Sequence, residues 1–263
     1  MAQAILSPLL ENGYCEPEQV IGVVGKEESI LASLENLPNG IQVVSSEDPK
    51  EVEVWRAPIK LLAVKPQQLD LVKEKCFQDL QNKEHQKPLL ISVVAGVTLK
   101  KLQQIFPGHI CIRAVPNTPV LVRAGLTGLS WGTGVNSQHR LLVKEIFSPI
   151  SEILELPEKQ LDAFLALTSS GPAYVALILE ALADGAVAAG LPRLLANHLA
   201  NSTLSGTALL LKEKDLHPGQ LKDMVSSPGG TTITALRHLE MAGLRSALIE
   251  AVVVAAERSR ELA

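Results

Sequence analysis

The hydrophobic pattern of this chain changes period once, near residue 156, and that change limits the folds open to it. Before it, short β-branched and aliphatic runs recur at 20–24, 41–44, 59–64, 89–94, 109–114 and 127–131. Stretches long enough for a helix, such as 67–80 and 136–147, separate several of them. Apolar runs alternating with helices mark a parallel, doubly wound sheet covered on both faces. Beyond Pro157 the strand signal stops, and Asp162, Leu165 and Leu167, then Tyr174, Leu177, Ile178, Ala181 and Leu182 follow helical spacing. Gly185, Gly190 and Leu191-Pro192 punctuate these helices. The expected fold class is α/β: a Rossmann-like parallel sheet over residues 1–156, followed by an all-α domain over 157–263.

Composition narrows the function classes. The chain is 46% hydrophobic but only 3% aromatic, so its core is built from Leu, Ala, Val and Ile. A net charge of −4 gives no electrostatic footprint for nucleic acid or an anionic membrane, and neither partner is expected. Cys15, Cys76 and Cys111 are odd in number and widely spaced, which fits reduced thiols in a cytoplasmic protein better than disulfides. No His/Cys/Asp cluster has ligand spacing, so no metal is expected. No run reaches the ~18 uncharged apolar residues of a membrane span; residues 247–256 come nearest, and Glu250 interrupts them. The N-terminal apolar segment lacks the basic flank and cleavage site of a secretory leader. An Ala/Leu-rich helical domain this small is expected to complete its core against a second copy, as a homodimer or higher homo-oligomer.

The front of the chain departs from the pattern of such folds. A dinucleotide-binding domain opens with a strand, a G-x-G-x-x-G loop and a helix whose start receives the pyrophosphate. Here residues 1–6 read as that helix, with Asn12-Gly13 stopping it, and no glycine-rich loop stands before Val20. The missing strand is central in the usual order 3-2-1-4-5-6 and would leave the strands at 20–24 and 59–64 with unpaired edges. The expectation is a start site placed too far downstream, with a true chain about ten to fifteen residues longer. A truncated, inactive gene product is the alternative.

The most informative string is His217-Pro-Gly-Gln-Leu-Lys-Asp223, followed at 226–232 by Ser-Ser-Pro-Gly-Gly-Thr-Thr. It reads as a turn entering a helix, where free N–H groups and the helix dipole suit a small carboxylate or phosphate. An ordinary capped helix gives the same local pattern. Lys222 and Asp223 fit an exposed ion pair better than an acid–base couple, and His217 fits a turn residue better than a general acid.

This string closely resembles the signature of the pyrroline-5-carboxylate reductase family, and further matches run along the whole chain. They are Ala63-Val64-Lys65-Pro66, Ser92-Val-Val-Ala95-Gly96, Arg113-Ala-Val-Pro-Asn117-Thr-Pro, Ser169-Ser-Gly-Pro-Ala-Tyr174, Ala183-Asp-Gly185 and Gly190-Leu-Pro-Arg193. Ser169 stands where the family usually has glycine. The resemblance implies reduction of 1-pyrroline-5-carboxylate to L-proline by hydride transfer from NADPH (or NADH). It sets Ala63, Val64, Lys65 and Pro66 against the cofactor, Ala95 and Gly96 at its nicotinamide end, and Asn117 on a loop nearby. It implies a substrate site at Gly230, Thr231 and Thr232, with Asp215 as a polar neighbour and Glu158 as a further contact. Thr232 is the candidate catalytic residue, hydrogen-bonding the ring nitrogen. Gly25 and Lys26 follow the strand that reads the adenosine ribose in this fold, where the absence of an acidic residue leans towards NADPH. Glu27, just beyond, weakens that inference. A catalytically dead, cofactor-impaired paralogue acting only as an assembly or binding protein is the alternative reading.

Overall fold

The computed structural model describes residues 1–35, 37–79 and 87–262. It separates into two compact units, Met1–Ser169 together with the residues from Ala256 onward, and Ser170–Ala255. The strands are β1 Ile21–Val24, β2 Gln42–Ser45, β3 Ile59–Leu62, β4 Leu89–Ser92, β5 Ile110–Pro116, β6 Gly125–Trp131 and β7 Ser151–Glu155. The helices of the first unit are α1 Ala2–Glu11, α2 Ser29–Leu34, α3 Glu51–Arg56, α4 Leu69–Asp79, α5 Leu99–Ile105, α6 Ser137–Phe147 and α7 Leu161–Thr168. Then come α8 Gly171–Ala188, α9 Arg193–Glu213, α10 Pro218–Met224, α11 Thr231–Met241 and α12 Leu244–Glu261. Leu80, the last residue of the helix expected over 67–80, lies outside the described residues.

In the first unit the strands form two sheets among the described residues, a pair β1-β2 and a five-stranded sheet in the order β3-β4-β5-β6-β7. The pairs β1-β2, β3-β4 and β4-β5 are parallel. Among the described residues β1 bonds to β2 alone and β3 to β4 alone, which leaves the edges that the sequence led us to expect. The doubly wound character shows in burial. All four β4 residues are buried; Leu90, with Cys111 of β5, packs beside α4 and α5 through Leu69, Leu99 and Leu102. Leu89 and Ile91, with Ile112, pack on the other side with Ile5 of α1 and Val143 and Phe147 of α6. Alternate side chains of one strand thus feed two cores, which is why the run has no polar face.

Two features correct the all-parallel expectation. Strand β6 runs antiparallel to β5, and β7, which was not expected, lies parallel to β6. Strand β7 is an edge whose end residue Glu155 gathers Lys144, Arg140 (3.0 Å) and Trp131 Nε1 (2.6 Å). The hydrogen bond from Lys144, then those partners' further pull, holds the Glu155 carboxyl below the usual carboxylate range despite some burial.

Local signals explain the boundaries. Gly13, at φ +69°, ends α1, and its N–H donates to Leu10 O. Thr98 caps α5 by accepting from Lys101 N at 3.2 Å, and Asn136 caps α6 through His139 N at 2.8 Å. Proline occupies the first turn of α8 and of α10.

The second unit is helical, and its α8–α9 contact buries three alanines, Ala183, Ala196 and Ala200. Large apolar side chains stay open, among them Leu177 (66% exposed), Leu194 (85%) and Met241 (73%). One helical stretch among the described residues, Glu158–Ala188, is long and apolar enough by composition to cross a membrane, which corrects the expectation that residues 247–256 come nearest. That stretch carries Glu180 and Asp184 and is broken between α7 and α8 at Ser169–Ser170.

The cysteines give a direct check of this fold. Cys76 and Cys111 are buried and Cys15 is part-exposed. Burial, with Cys76 nearby, pushes the Cys111 thiol from 9.0 up to about 12. The fold therefore gains from this protonated thiol below pH 9.0 and loses that gain as pH climbs towards about 12. A native thiol-disulfide reagent titration is expected to label one cysteine per chain quickly, with the other two reacting only on unfolding.

Candidate active site

The segments expected to meet a dinucleotide lie at the carboxyl ends of parallel strands, where open α/β sheets bind ligands. Gly25 and Lys26 follow β1 and are exposed; Ser46, just past β2, donates its hydroxyl to Gly25 O at 3.1 Å. Ala63, Val64, Lys65 and Pro66 follow β3, with Pro66 opening a single 3-10 turn in which Gln68 N donates to Lys65 O at 2.9 Å. A Cβ on Gly25 would stand 3.6 Å from Gln68 Nε2, so the ends of β1 and β3 are brought close.

The turn after β4 is tighter. Ser92 Oγ accepts from Val94 N at 3.3 Å, Ala95 is exposed, and Gly96 is buried with φ +69°. A side chain at Gly96 would meet the backbone of Leu262, whose oxygen lies 3.0 Å from the Cβ position. The conformation and the close approach both call for glycine. Asn117, after β5, is 5% exposed. Its Nδ2 donates to Thr168 O at 3.0 Å and its Oδ1 accepts from Leu126 N at 2.8 Å, so the side chain is spent on holding the loop.

Glu158 is placed differently from the sequence reading, and its partner is a residue that reading left without a role. Glu158 Oε1 accepts from Leu99 N at 2.6 Å and from Arg113 Nη1 at 3.2 Å. That oxygen is engaged inside the first unit rather than open to a ligand. Arg113 belongs to the matched Arg113–Pro119 string but had no assigned role. It is 2% exposed, and Asp162 Oδ1 lies 3.9 Å from its Nη2. An arginine inside an otherwise apolar β5 was the available signal, because a buried guanidinium needs carboxylate partners.

In the second unit, His217 caps α10: its Nδ1 accepts from Gly219 N at 3.0 Å while its own N–H donates to Gln220 Oε1 at 2.9 Å. It is a turn residue. The expected Lys222–Asp223 ion pair is not formed among the described residues, consistent with neighbours in a helix pointing apart. Asp215 is exposed, at φ +49° in the connection after α9.

The turn into α11 is built on Gly229 (φ +66°) and Gly230, the N-cap. Gly230 N donates to Ser227 O at 3.0 Å, so its amide is already occupied and the open donors begin at Thr231 and Thr232. A Cβ at Gly230 would run into Ser227 Oγ. Thr231, Thr234, Ala235 and His238, with Gly229 and Leu182, border an open hollow of about 750 Å³. Their spacing places them on one face of α11. Thr232, a hundred degrees round the helix, is half-buried and does not border it. Thr234 and His238 border the hollow as well, as the i, i+3, i+7 spacing from Thr231 implies, although the sequence reading did not single them out. Among the described residues no cluster of three or more metal-ligating side chains occurs.

The comparisons with known proteins bear on both units. A family described as "Pyrroline-5-carboxylate reductase dimerisation" matches residues 158–262. A pyrroline-5-carboxylate reductase of Synechocystis sp. is 46% identical over 262 residues, covering 100% of this chain and 94% of that protein. The chain belongs to the pyrroline-5-carboxylate reductase family. Among solved structures, the family's enzyme from Coxiella burnetii superposes with a TM-score of 0.83 at 32% identity, covering 100% of this chain and 94% of its own. The Plasmodium falciparum pyrroline carboxylate reductase, solved with NADP bound, gives 0.85 at 29% identity over 99% of this chain and 93% of its own. The α/β fold with a helical second part is that of these neighbours.

Gly229 offers a test of the α11 turn. Gly229→Ala puts a Cβ on a left-handed backbone and is expected to cost ~1–2 kcal/mol, seen as a lower urea midpoint. Gly206→Ala, mid-helix with nothing within 4 Å of its Cβ position, is expected to raise the midpoint slightly.

Proposed function

We infer that this chain reduces 1-pyrroline-5-carboxylate to L-proline with a hydride from NAD(P)H. The near full-length 46% identity to a named reductase carries the reading. The residues present fit the two ends of a dinucleotide: the exposed Ala95 in the tight turn after β4, and the exposed Gly25-Lys26 beside Ser46. Ala63, Val64, Lys65 and Pro66 complete that edge, and Asn117 holds the loop next to it. When bound, the nicotinamide supplies the hydride to the imine carbon. Gly25 and Lys26 carry no acid towards the ribose, which favours NADPH over NADH, with exposed Glu27 pulling the other way.

The substrate carboxylate sits on the free N–H groups of Thr231 and Thr232 at the start of α11, aided by the helix dipole. Gly230 contributes shape rather than a donor, and Asp215 supplies a polar neighbour. Thr232 hydrogen-bonds the ring nitrogen, which gains a proton as the C=N bond becomes CH–NH. The open apolar face of the second unit and the dimerisation match support a homodimer. Three cysteines, odd in number and widely spaced, support a cytoplasmic location.

One observation favours a second reading. The matching family model describes dimerisation and spans residues 158–262, which fits a protein that keeps its assembly but not its turnover. NADPH oxidation with pyrroline-5-carboxylate decides between the two, since the assembly protein dimerises without consuming NADPH. Within the enzyme reading, Thr232→Ala is expected to lower kcat about tenfold, the cost of one lost hydrogen bond of ~1.4 kcal/mol, with a smaller change in KM. An unchanged kcat removes Thr232 from this role. Leu194→Asp, in the open apolar face, is expected to shift the protein towards monomer in sedimentation velocity.

A further inference from the structure

The Arg113 network connects segments that the reaction does not otherwise link. Glu158 Oε1 joins Arg113 Nη1 to the first amide of α5, Leu99 N. The residues just before that amide are the Ala95-Gly96 turn and the Thr98 cap. On its other side Arg113 faces Asp162, whose Oδ1 accepts from Ser259 Oγ at 2.7 Å near the C-terminal end of α12. Three residues further on, the backbone of Leu262 lies against Gly96. The chain of contacts therefore closes on itself: turn, Glu158, Arg113, Asp162, Ser259, Leu262, turn.

We propose that Arg113 and Glu158 are positioning residues for the nicotinamide turn. They fix it from one side through the Leu99 amide and from the other by holding the C-terminal residues against Gly96. This rests on the reading of Ala95-Gly96 as the nicotinamide end of the site. Arg113 is buried, and its Nε and Nη2 have no hydrogen-bond partner among the described residues, so the Nη1 hydrogen bond to Glu158 and the longer ion pair with Asp162 are what hold the guanidinium in place. Glu158, by contrast, is part-exposed, with 31% of its side chain open. Its position is dictated by the two donors it accepts from rather than by packing. A shift of Glu158 frees the Leu99 amide and lets the turn relax; loss of the Ser259 hydroxyl loosens the opposite wall. In this arrangement Glu158 acts on the cofactor side and makes no contact with the imine.

The test uses the full chain as wild type, Glu158→Ala, Glu158→Gln and Ser259→Ala. Glutamine keeps an oxygen for the Leu99 amide, whereas alanine does not. In the cofactor-free protein, hydrogen exchange of the 96–99 amides is expected to quicken about tenfold in Glu158→Ala and in Ser259→Ala, with α6 amides unchanged. In turnover, Glu158→Ala is expected to raise the KM for NADPH about tenfold and leave that for pyrroline-5-carboxylate within about twofold. Glu158→Gln is expected to bring the NADPH value back to within about threefold of wild type. Unchanged exchange at Leu99 overturns the proposal, and so does a rise in KM for the imine alone, which would put Glu158 on the substrate. Should wild type oxidise no NADPH with the imine, the proposed function falls, and the exchange data alone decide the network.

Discussion

A guanidinium almost sealed from water sits at the centre of the first unit, and the arrangement around it follows from that charge. Arg113 is on β5, where its neighbours Cys111, Ile112 and Ala114 are buried apolar residues. Removing such a group from water is costly, and the cost is offset only when carboxylates approach with good geometry. Glu158, just before α7, provides one through a hydrogen bond, and Asp162, in the first turn of α7, adds its charge at 3.9 Å. The electrostatic requirement thus draws residues well apart in sequence to one point. It explains why the helix following the sheet docks where it does.

The sheet supplies the complementary constraint. Strands β3, β4 and β5 are parallel and neighbouring, so their carboxyl ends, and the turns after them, emerge along one edge. Because β4 is covered on both faces, those turns have a rigid base. Function is carried by the connections and stability by what lies beneath them. Asn117 and Gly96 belong to both categories: one side chain and one missing side chain keep the loops in shape.

Much of this was legible in the sequence. The β-branched and aliphatic runs marked β1 to β6, most clearly at β4, which is covered on both faces and so cannot be polar on either. Strand β7 was hidden because Ser151, Glu152 and Glu155 dilute its apolar pair, as an edge strand tolerates. The antiparallel β5-β6 pairing was in principle readable: residues 117–124 are too few for a crossover back to a parallel strand. At the α11 turn the string located the site, but the donor assignment needed coordinates. Only the Ser227–Gly230 hydrogen bond shows that one expected amide is already taken. Likewise Glu158 was legible as a functional position, but not as a ligand of Arg113, since residues 45 apart in sequence meet only in the fold.

The thin interior of the second unit has its own consequence. Three small alanines between α8 and α9 remove little hydrocarbon from water, while leucines and methionines outside them remain wet. A helical segment of this kind draws most of its stabilisation from whatever covers it. When the cover is an identical chain, folding and self-association share one mass-action equilibrium, and the melting temperature climbs with protein concentration.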